Sequence, residues 1–178
     1  VAAMTALEHH NPGLSRQLAA ADASSPSNRL QLPAEQAAVG YWAAASWGAY
    51  IALSKDKPDV VADLPQVVQL ARLVLACDPD YGEGAALSLM GTLEAARPGG
   101  SRPQAEIYFE RAITASAGRS AGPMIAKADA LALPDGDRAG FEALLRQAIA
   151  ISTRHPSLEN TLLRERAQWL LDTLDDRF

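Results

Sequence analysis

The sequence predicts an all-α protein made of antiparallel helical hairpins. Hydrophobic residues make up 48% of its 178 residues, and alanine and leucine, which enter helices at little entropic cost, dominate among them. Aromatic residues make up only 6%, and no run alternates between β-branched and polar positions as a half-buried strand would. Glycine and proline recur at short intervals, so short loops join the helices and neighbouring helices should lie antiparallel.

Helix breakers define the first predicted helices. The NPG triplet at residues 11–13 ends one helix, and the SSPSN stretch at residues 24–28 is the predicted loop after a second. Pro33 suits the first turn of a third helix, because its missing N–H has no partner there in any case. The polar KDKP run at residues 55–58 ends this third helix.

Capping signals define the later helices. The DLPQ and SRPQ segments at residues 63–66 and 101–104 place a capping side chain three positions before a glutamine, and Asp137 caps a further helix. Proline and glycine end the helices that precede residues 79 and 98–100. The predicted helical segments are residues 1–9, 14–22, 33–53, 63–77, 82–97, 101–117, 123–132, 137–153 and 158–174.

The stretch of residues 37–53 carries no charge. Its length is at the low edge for a membrane-spanning helix, but its Ala, Gly, Ser, Tyr and Trp residues gain little from lipid. A helix buried on most of its faces within a bundle is the preferred interpretation, and a membrane span is the alternative.

Three predicted helices share one pattern of apolar positions, spaced by four residues and then by three. Corresponding positions are 38 and then 36 residues apart, near the period of about 34 residues in TPR helical hairpins. The nine positions are Val67, Ala71, Val74, Ala105, Phe109, Ala112, Phe141, Leu145 and Ala148. We therefore predict one TPR-like domain over residues 1–178, stacked as a short superhelix or bundle. An ordinary amphipathic bundle remains the alternative, because it shows the same spacings within each helix.

Charge and motifs narrow the class of function. The net charge is −5 without a basic stripe, so nucleic acid is not a predicted partner. The sequence contains no nucleophile-elbow, phosphate-loop or zinc-protease motif, and its one cysteine and three histidines have no zinc-site spacing. We therefore predict neither an enzyme nor a metal or cofactor site.

Several short sequence motifs resemble those of a known family. They are YW at residues 41–42, WG at 47–48, LSKD at 53–56, VADLP at 61–65, DPDYGEG at 78–84, EAARPGG at 94–100 and DDRF at 175–178. In this order and spacing they resemble the TRAP-transporter-associated TPR proteins, the TatT family of bacterial periplasmic lipoproteins. The resemblance covers residues 36–178. Residues 1–35 match poorly, and we expect them to continue helices N-terminal to this chain.

The resemblance implies an accessory binding or docking protein of a tripartite (TRAP-type) periplasmic transporter. It implies association with the solute-binding subunit, a hydrophobic or organic-acid ligand, and a homo-oligomer such as a trimer. It also implies a periplasmic location, with a lipid anchor on the full-length protein that is not visible in this chain. A general TPR-type scaffold for protein–protein interaction is the alternative function.

Aromatic side chains on the uncharged helix are the first candidates for a ligand or partner groove. They are Tyr41, Trp42, Trp47 and Tyr50. Such rings offer rigid apolar surface with a polar tip, although packing in the core is the competing interpretation for each. Because this helix has little polar surface to offer water, we predict that its Trp42 and Trp47 side lines a groove or an interface.

Four further residues are candidates for the same groove. Tyr81 and Glu83 lie at a predicted helix start, where free N–H groups attract anions, but acidic neighbours favour a purely structural turn. Glu94 and Arg97 lie three residues apart and suit a surface ion pair with each other, a partner contact or a buried pair between repeat units. Cys77 is predicted to be a small buried hydrophobic residue.

Overall fold

A computed structural model describes residues 2–20 and 30–178 of the chain. Within these ranges the protein consists of helices and short turns, and we find no strand there, which confirms the all-α prediction. The predicted SSPSN loop at residues 24–28 lies outside the described residues. The helices are α1 (Ala2–His10), α2 (Leu14–Ala20), α3 (Ala37–Ala52), α4 (Pro58–Val61), α5 (Leu64–Cys77), α6 (Tyr81–Ala96), α7 (Arg102–Ala115), α8 (Gly122–Lys127), α9 (Arg138–Arg154) and α10 (Leu158–Asp172).

The chain forms two compact units, Val1–Tyr81 and Gly82–Phe178. The prediction of one TPR-like domain over residues 1–178 stays a prediction. All nine positions of the apolar pattern are buried, which fits both the TPR-like stack and the ordinary amphipathic bundle.

In the first unit, α3 packs against α1 and α5 through its small residues. Ala37, Gly40, Ala43 and Ala44 are buried on this inner face. A Cβ at Gly40 would lie only 2.9 Å from Cγ2 of Val74, so glycine allows the backbone of α3 to approach α5. Ile51 is buried near the end of the same helix, whereas Trp42 and Tyr50 are exposed.

The segment Pro58–Cys77 is the part of the described chain with the length and composition of a membrane span. It comprises α4 and α5, with a turn at residues 62 and 63 between them. Val67, Val68, Leu70 and Val74 of α5 are buried within the first unit. Such burial is typical of a core helix.

Helix α5 begins without the predicted cap. The backbone of Asp63 is helical, with φ −78° and ψ −10°, and its side chain accepts no backbone N–H; Nε2 of Gln66 donates to its Oδ1 at 3.2 Å instead. The prediction of an Asp63 cap is wrong because the chain arrives from α4, which was not predicted, already in a helical conformation. An N-cap residue needs a non-helical conformation for its side chain to reach the helix N–H groups.

In the second unit, the two other predicted caps are confirmed. Ser101 accepts from the backbone N of Gln104 at 3.3 Å, and Asp137 accepts from that of Gly140 at 2.9 Å. Ser157, which was not predicted as a cap, accepts from the backbone N of Asn160 at 3.0 Å. The segment after α8 continues helically to Ala132 with a wider last turn, in which the N–H of Leu133 donates to the carbonyl of Ala128 at 3.0 Å. Helices α9 and α10 pack around Phe141, Leu145, Ala148, Ala167 and Leu170.

Candidate functional site

A cavity of about 670 Å³ opens in the first unit between α1, the start of α2 and α3. Met4, Thr5, Glu8 and His9 come from α1, at spacings of four residues that place them on one face of the helix. Leu7 of the same helix is buried in the core. One face of α1 thus anchors the helix while another forms a wall of the cavity.

The opposite wall belongs to α3. Ser46, Trp47 and Tyr50 share a face of this helix and line the cavity. Trp47 is half-buried, and Tyr50 is 52% exposed. A cavity of this size, walled by aromatic and apolar side chains with a few polar groups, has the dimensions of a small-molecule site.

Glu8 supplies the carboxylate of this cavity. Its Oε1 accepts from the backbone N of Gly13 at 2.7 Å, and its Oε2 accepts from the backbone N and the hydroxyl of Ser15 at 2.8 and 2.7 Å. The N–H of Ser15 contributes most to lowering the pKa of Glu8, followed by the Ser15 hydroxyl and the N–H of Gly13. Because these bonds stabilise the charged form, Glu8 presents an ionised group in the wall.

The structure divides the predicted aromatic residues between two places. Trp47 and Tyr50 line the cavity. The ring of Tyr41 lies edge-on to that of Trp42, with 5.3 Å between the ring centroids, and its centroid is 5.0 Å from that of Tyr81. Trp42 is 63% exposed. The four aromatic residues of α3 therefore do not form one surface.

Glu83 lies in a left-handed turn. Gly82, Glu83 and Gly84 have φ angles of 61°, 52° and 93°, so the predicted helix start is wrong in its first turn. A Cβ at Gly84 would lie 2.6 Å from the carbonyl oxygen of Ala112, and only glycine fits this close approach. The carboxylate of Glu83 pairs with Arg119 at 3.3 Å.

Glu94 and Arg97 form a two-pronged ion pair that holds the turn after α6. Nε and Nη2 of Arg97 donate to the two carboxylate oxygens at 2.8 and 2.7 Å, and the backbone N of Ser101 donates to Oε1 at 2.8 Å. The two residues pair with each other, three positions apart, as the first alternative had it, but the Glu94 side chain is only 3% exposed and that of Arg97 25%, so the pair is not a surface one. The hydrogen bonds that Arg97 donates to the Glu94 carboxylate raise the pKa of Arg97.

Cys77 was predicted to be a buried residue and is only half-buried, at the end of α5. Its thiol donates to the carbonyl of Val74 at 3.2 Å. Burial raises the pKa of the thiol, and the charge of the adjacent Asp78 raises it further.

The α1 wall of the cavity was missed by sequence reasoning. Met4, Thr5, Glu8, His9 and Ser15 lie in residues 1–35, where few matching motifs occur. A signal was present in the four-residue spacing from Met4 to Glu8 and from Thr5 to His9, which places polar and apolar groups on one helix face. That spacing alone does not show which helix lies opposite.

One known protein family matches this chain over almost its whole length. The family model described as TRAP transporter T-component matches residues 2–178. The chain belongs to this family. The match includes residues 2–35, so the poor resemblance expected there is corrected, and both walls of the cavity fall within the family region.

A protein of Treponema pallidum (strain Nichols), described as an uncharacterized protein, is similar to this T-component. The two are 31% identical over 188 aligned residues, which cover 99% of this chain and 57% of the relative. The chain thus spans a little over half the length of that relative. The family description indicates a role in a TRAP transporter and a periplasmic or membrane-associated location, and the family is one of transporter components, not of enzymes.

Proposed function

We propose that this T-component is an accessory binding protein of a TRAP transporter, which associates with the solute-binding subunit and holds an apolar ligand in the cavity between α1 and α3. The observation that carries the proposal is the cavity of about 670 Å³ with Trp47 and Tyr50 in its wall. A hollow of this size gives an apolar molecule a place to leave water, and the few polar groups around it orient the molecule.

The T-component family supports the transporter side of the proposal. A subunit that holds an apolar solute beside the solute-binding subunit shields it from water during transfer. A periplasmic location, a lipid anchor on the full-length protein and a homo-oligomer belong to the same proposal, and the family resemblance supports them. Co-elution of the purified chain with the purified solute-binding subunit tests the association directly.

Binding of N-phenyl-1-naphthylamine, a neutral apolar dye that brightens on leaving water, tests the cavity. We expect saturable binding to the wild-type chain, and Trp47→Ala should weaken it by roughly tenfold, because a buried aromatic wall carries a large part of such binding energy. Trp42→Ala is the matched control, since Trp42 lies on the same helix outside the cavity wall. Its affinity for the dye should equal that of wild type.

A second variant protects this test against loss of folding. Ser46 is an exposed residue of the cavity wall, so Ser46→Trp should obstruct part of the cavity and weaken dye binding while the core stays intact. Unchanged dye binding in both Trp47→Ala and Ser46→Trp, with wild-type circular dichroism, would show that the cavity is not the binding site.

A further inference from the structure

We infer that the cavity between α1 and α3 selects an apolar ligand with one positively charged head, of the alkylammonium class, over an apolar acid. The inference rests on the proposed function, because it names the chemistry of a ligand for the same cavity. It departs from the organic acid that the family resemblance suggested.

The charge in the wall favours a cation. Glu8 is the carboxylate among the described residues that line the cavity, and none of these is a lysine or an arginine. An apolar ligand with a carboxylate would bring a second negative charge beside Glu8, whereas an ammonium head would pair with it.

The contacts of Glu8 leave its charge available. The donors that hold it, the N–H groups of Gly13 and Ser15 and the Ser15 hydroxyl, are neutral. An ionised carboxylate has about four acceptor positions, and these three bonds leave one for a ligand. The bonds also fix the carboxylate in place, so little side-chain freedom is lost when a cation arrives.

The aromatic wall acts in the same direction. Trp47 and Tyr50 line the cavity from α3, opposite the Glu8 helix. The faces of tryptophan and tyrosine rings attract ammonium groups, most strongly for tryptophan. A carboxylate together with aromatic rings is the combination that recognises an organic cation.

Two groups act against this selection. Arg16 lies beside the Ser15 turn and contributes the smallest of the effects on the pKa of Glu8. His9 lies in the wall itself but is exposed, so water screens it. The Glu8 carboxylate outweighs both because its hydrogen bonds fix it in the cavity wall, whereas Arg16 is not among the residues that line the cavity.

Displacement of the naphthylamine dye by three probes of equal chain length tests the inference at pH 7. The probes are octylammonium, octan-1-ol and octanoate, so only the head group changes. We expect octylammonium to bind roughly tenfold more tightly than octanoate, with the affinity of the alcohol between them. A partly exposed ion pair and a cation–π contact together account for a difference of this size. Raising the salt concentration should reduce this difference without changing the affinity of the alcohol.

Glu8→Gln, which keeps the shape of the side chain, should reduce the preference for the cation to what the cation–π contact alone provides. Glu35→Gln is the matched control, because Glu35 is an exposed acid of the same unit outside the cavity wall. If Glu8→Gln does not fold, the salt dependence of the wild-type preference carries the test.

Equal binding of the three probes, or tightest binding of octanoate, would overturn the inference and leave the proposed apolar cavity standing. Failure of octylammonium to displace a bound dye would also overturn it. Failure of the dye itself to bind the wild-type chain would remove the proposed cavity function, and the inference with it.

Discussion

At the residue scale, Phe109 and Gly91 are complementary. Phe109 of α7 is fully buried, and a Cβ at Gly91 of α6 would lie 2.9 Å from its ring. The ring therefore occupies the space that any side chain at position 91 would need. This contact is one of the places where α6 and α7 interlock in the second unit.

Phe109→Ala should lower the free energy of unfolding by about 3–5 kcal/mol, because it removes a buried ring and leaves a cavity against Gly91. Chemical denaturation measures the change. Ile107→Ala is the control on the same helix, since Ile107 is 51% exposed, and its effect should stay within about 0.5 kcal/mol. A Phe109→Ala midpoint equal to that of wild type would contradict the predicted core register.

Single residues also show what sequence could and could not predict. The burial of Phe109 follows from its spacing to Ala105 and Ala112, which is a property of one helix. The role of Glu94 does not follow from such spacing. Its carboxylate accepts from the backbone N of Ser101 only because the turn between them folds back towards the end of α6. That path depends on Gly99, whose φ of 68° few other residues adopt.

At the scale of elements, the left-handed turn at residues 82–84 fixes how α6 begins. Gly84 meets the backbone of Ala112 in α7, while Glu83 holds an unfavourable φ of 52° and pairs with Arg119. The turn therefore combines one position that packing restricts to glycine with another whose conformation is only strained.

Gly84→Ala should destabilise the protein by about 2–4 kcal/mol, since it adds both left-handed strain and a clash with the Ala112 carbonyl. Glu83→Gly should stay within about 1 kcal/mol of wild type, because relief of strain offsets the lost exposed ion pair and the added freedom of the unfolded chain. Urea denaturation of both variants distinguishes the two positions. Equal destabilisation by both would show that strain, not packing, controls the turn.

Helix starts were predictable where the chain enters in an extended conformation. Ser101 is extended and caps its helix as predicted, and Ser157, also extended, caps α10 although it was not predicted to do so. Asp63 has the same kind of local sequence but follows α4, whose single turn carries no periodic pattern long enough to predict. The conformation that precedes a cap, not the cap residue alone, decides whether it forms.

At the scale of the whole molecule, the all-α class followed from composition and breakers, whereas the cavity followed only in part. The α3 wall was predicted because aromatic residues on an uncharged helix stand out. The α1 wall was not, because the pairing of α1 with α3 joins segments some forty residues apart, and no local pattern specifies it.

The outer face of α3 bears on assembly. Ala38, Val39, Trp42 and Ala49 are exposed there, together with Leu53 just after the helix, and none carries a charge. We predict that a second copy of the chain covers this face, in line with the homo-oligomer that the family resemblance implies. Sedimentation equilibrium should then give a mass above that of one chain.

Trp42→Glu should shift that mass towards the monomer, because a buried charge at an apolar interface is costly. Ile107→Glu places the same charge on an exposed residue of the second unit and should leave the mass unchanged. A wild-type chain that sediments as a monomer at micromolar concentration would show that the prediction of self-association is wrong.

The state of Cys77 has a practical consequence for covalent labelling. It is the one cysteine of the sequence, and the raised pKa of its thiol keeps the reactive thiolate scarce at neutral pH. Maleimide should therefore modify it slowly, while a cysteine introduced at Leu158, which is 80% exposed, should react faster. Dyes or spin labels can thus be attached at a chosen site without first replacing Cys77.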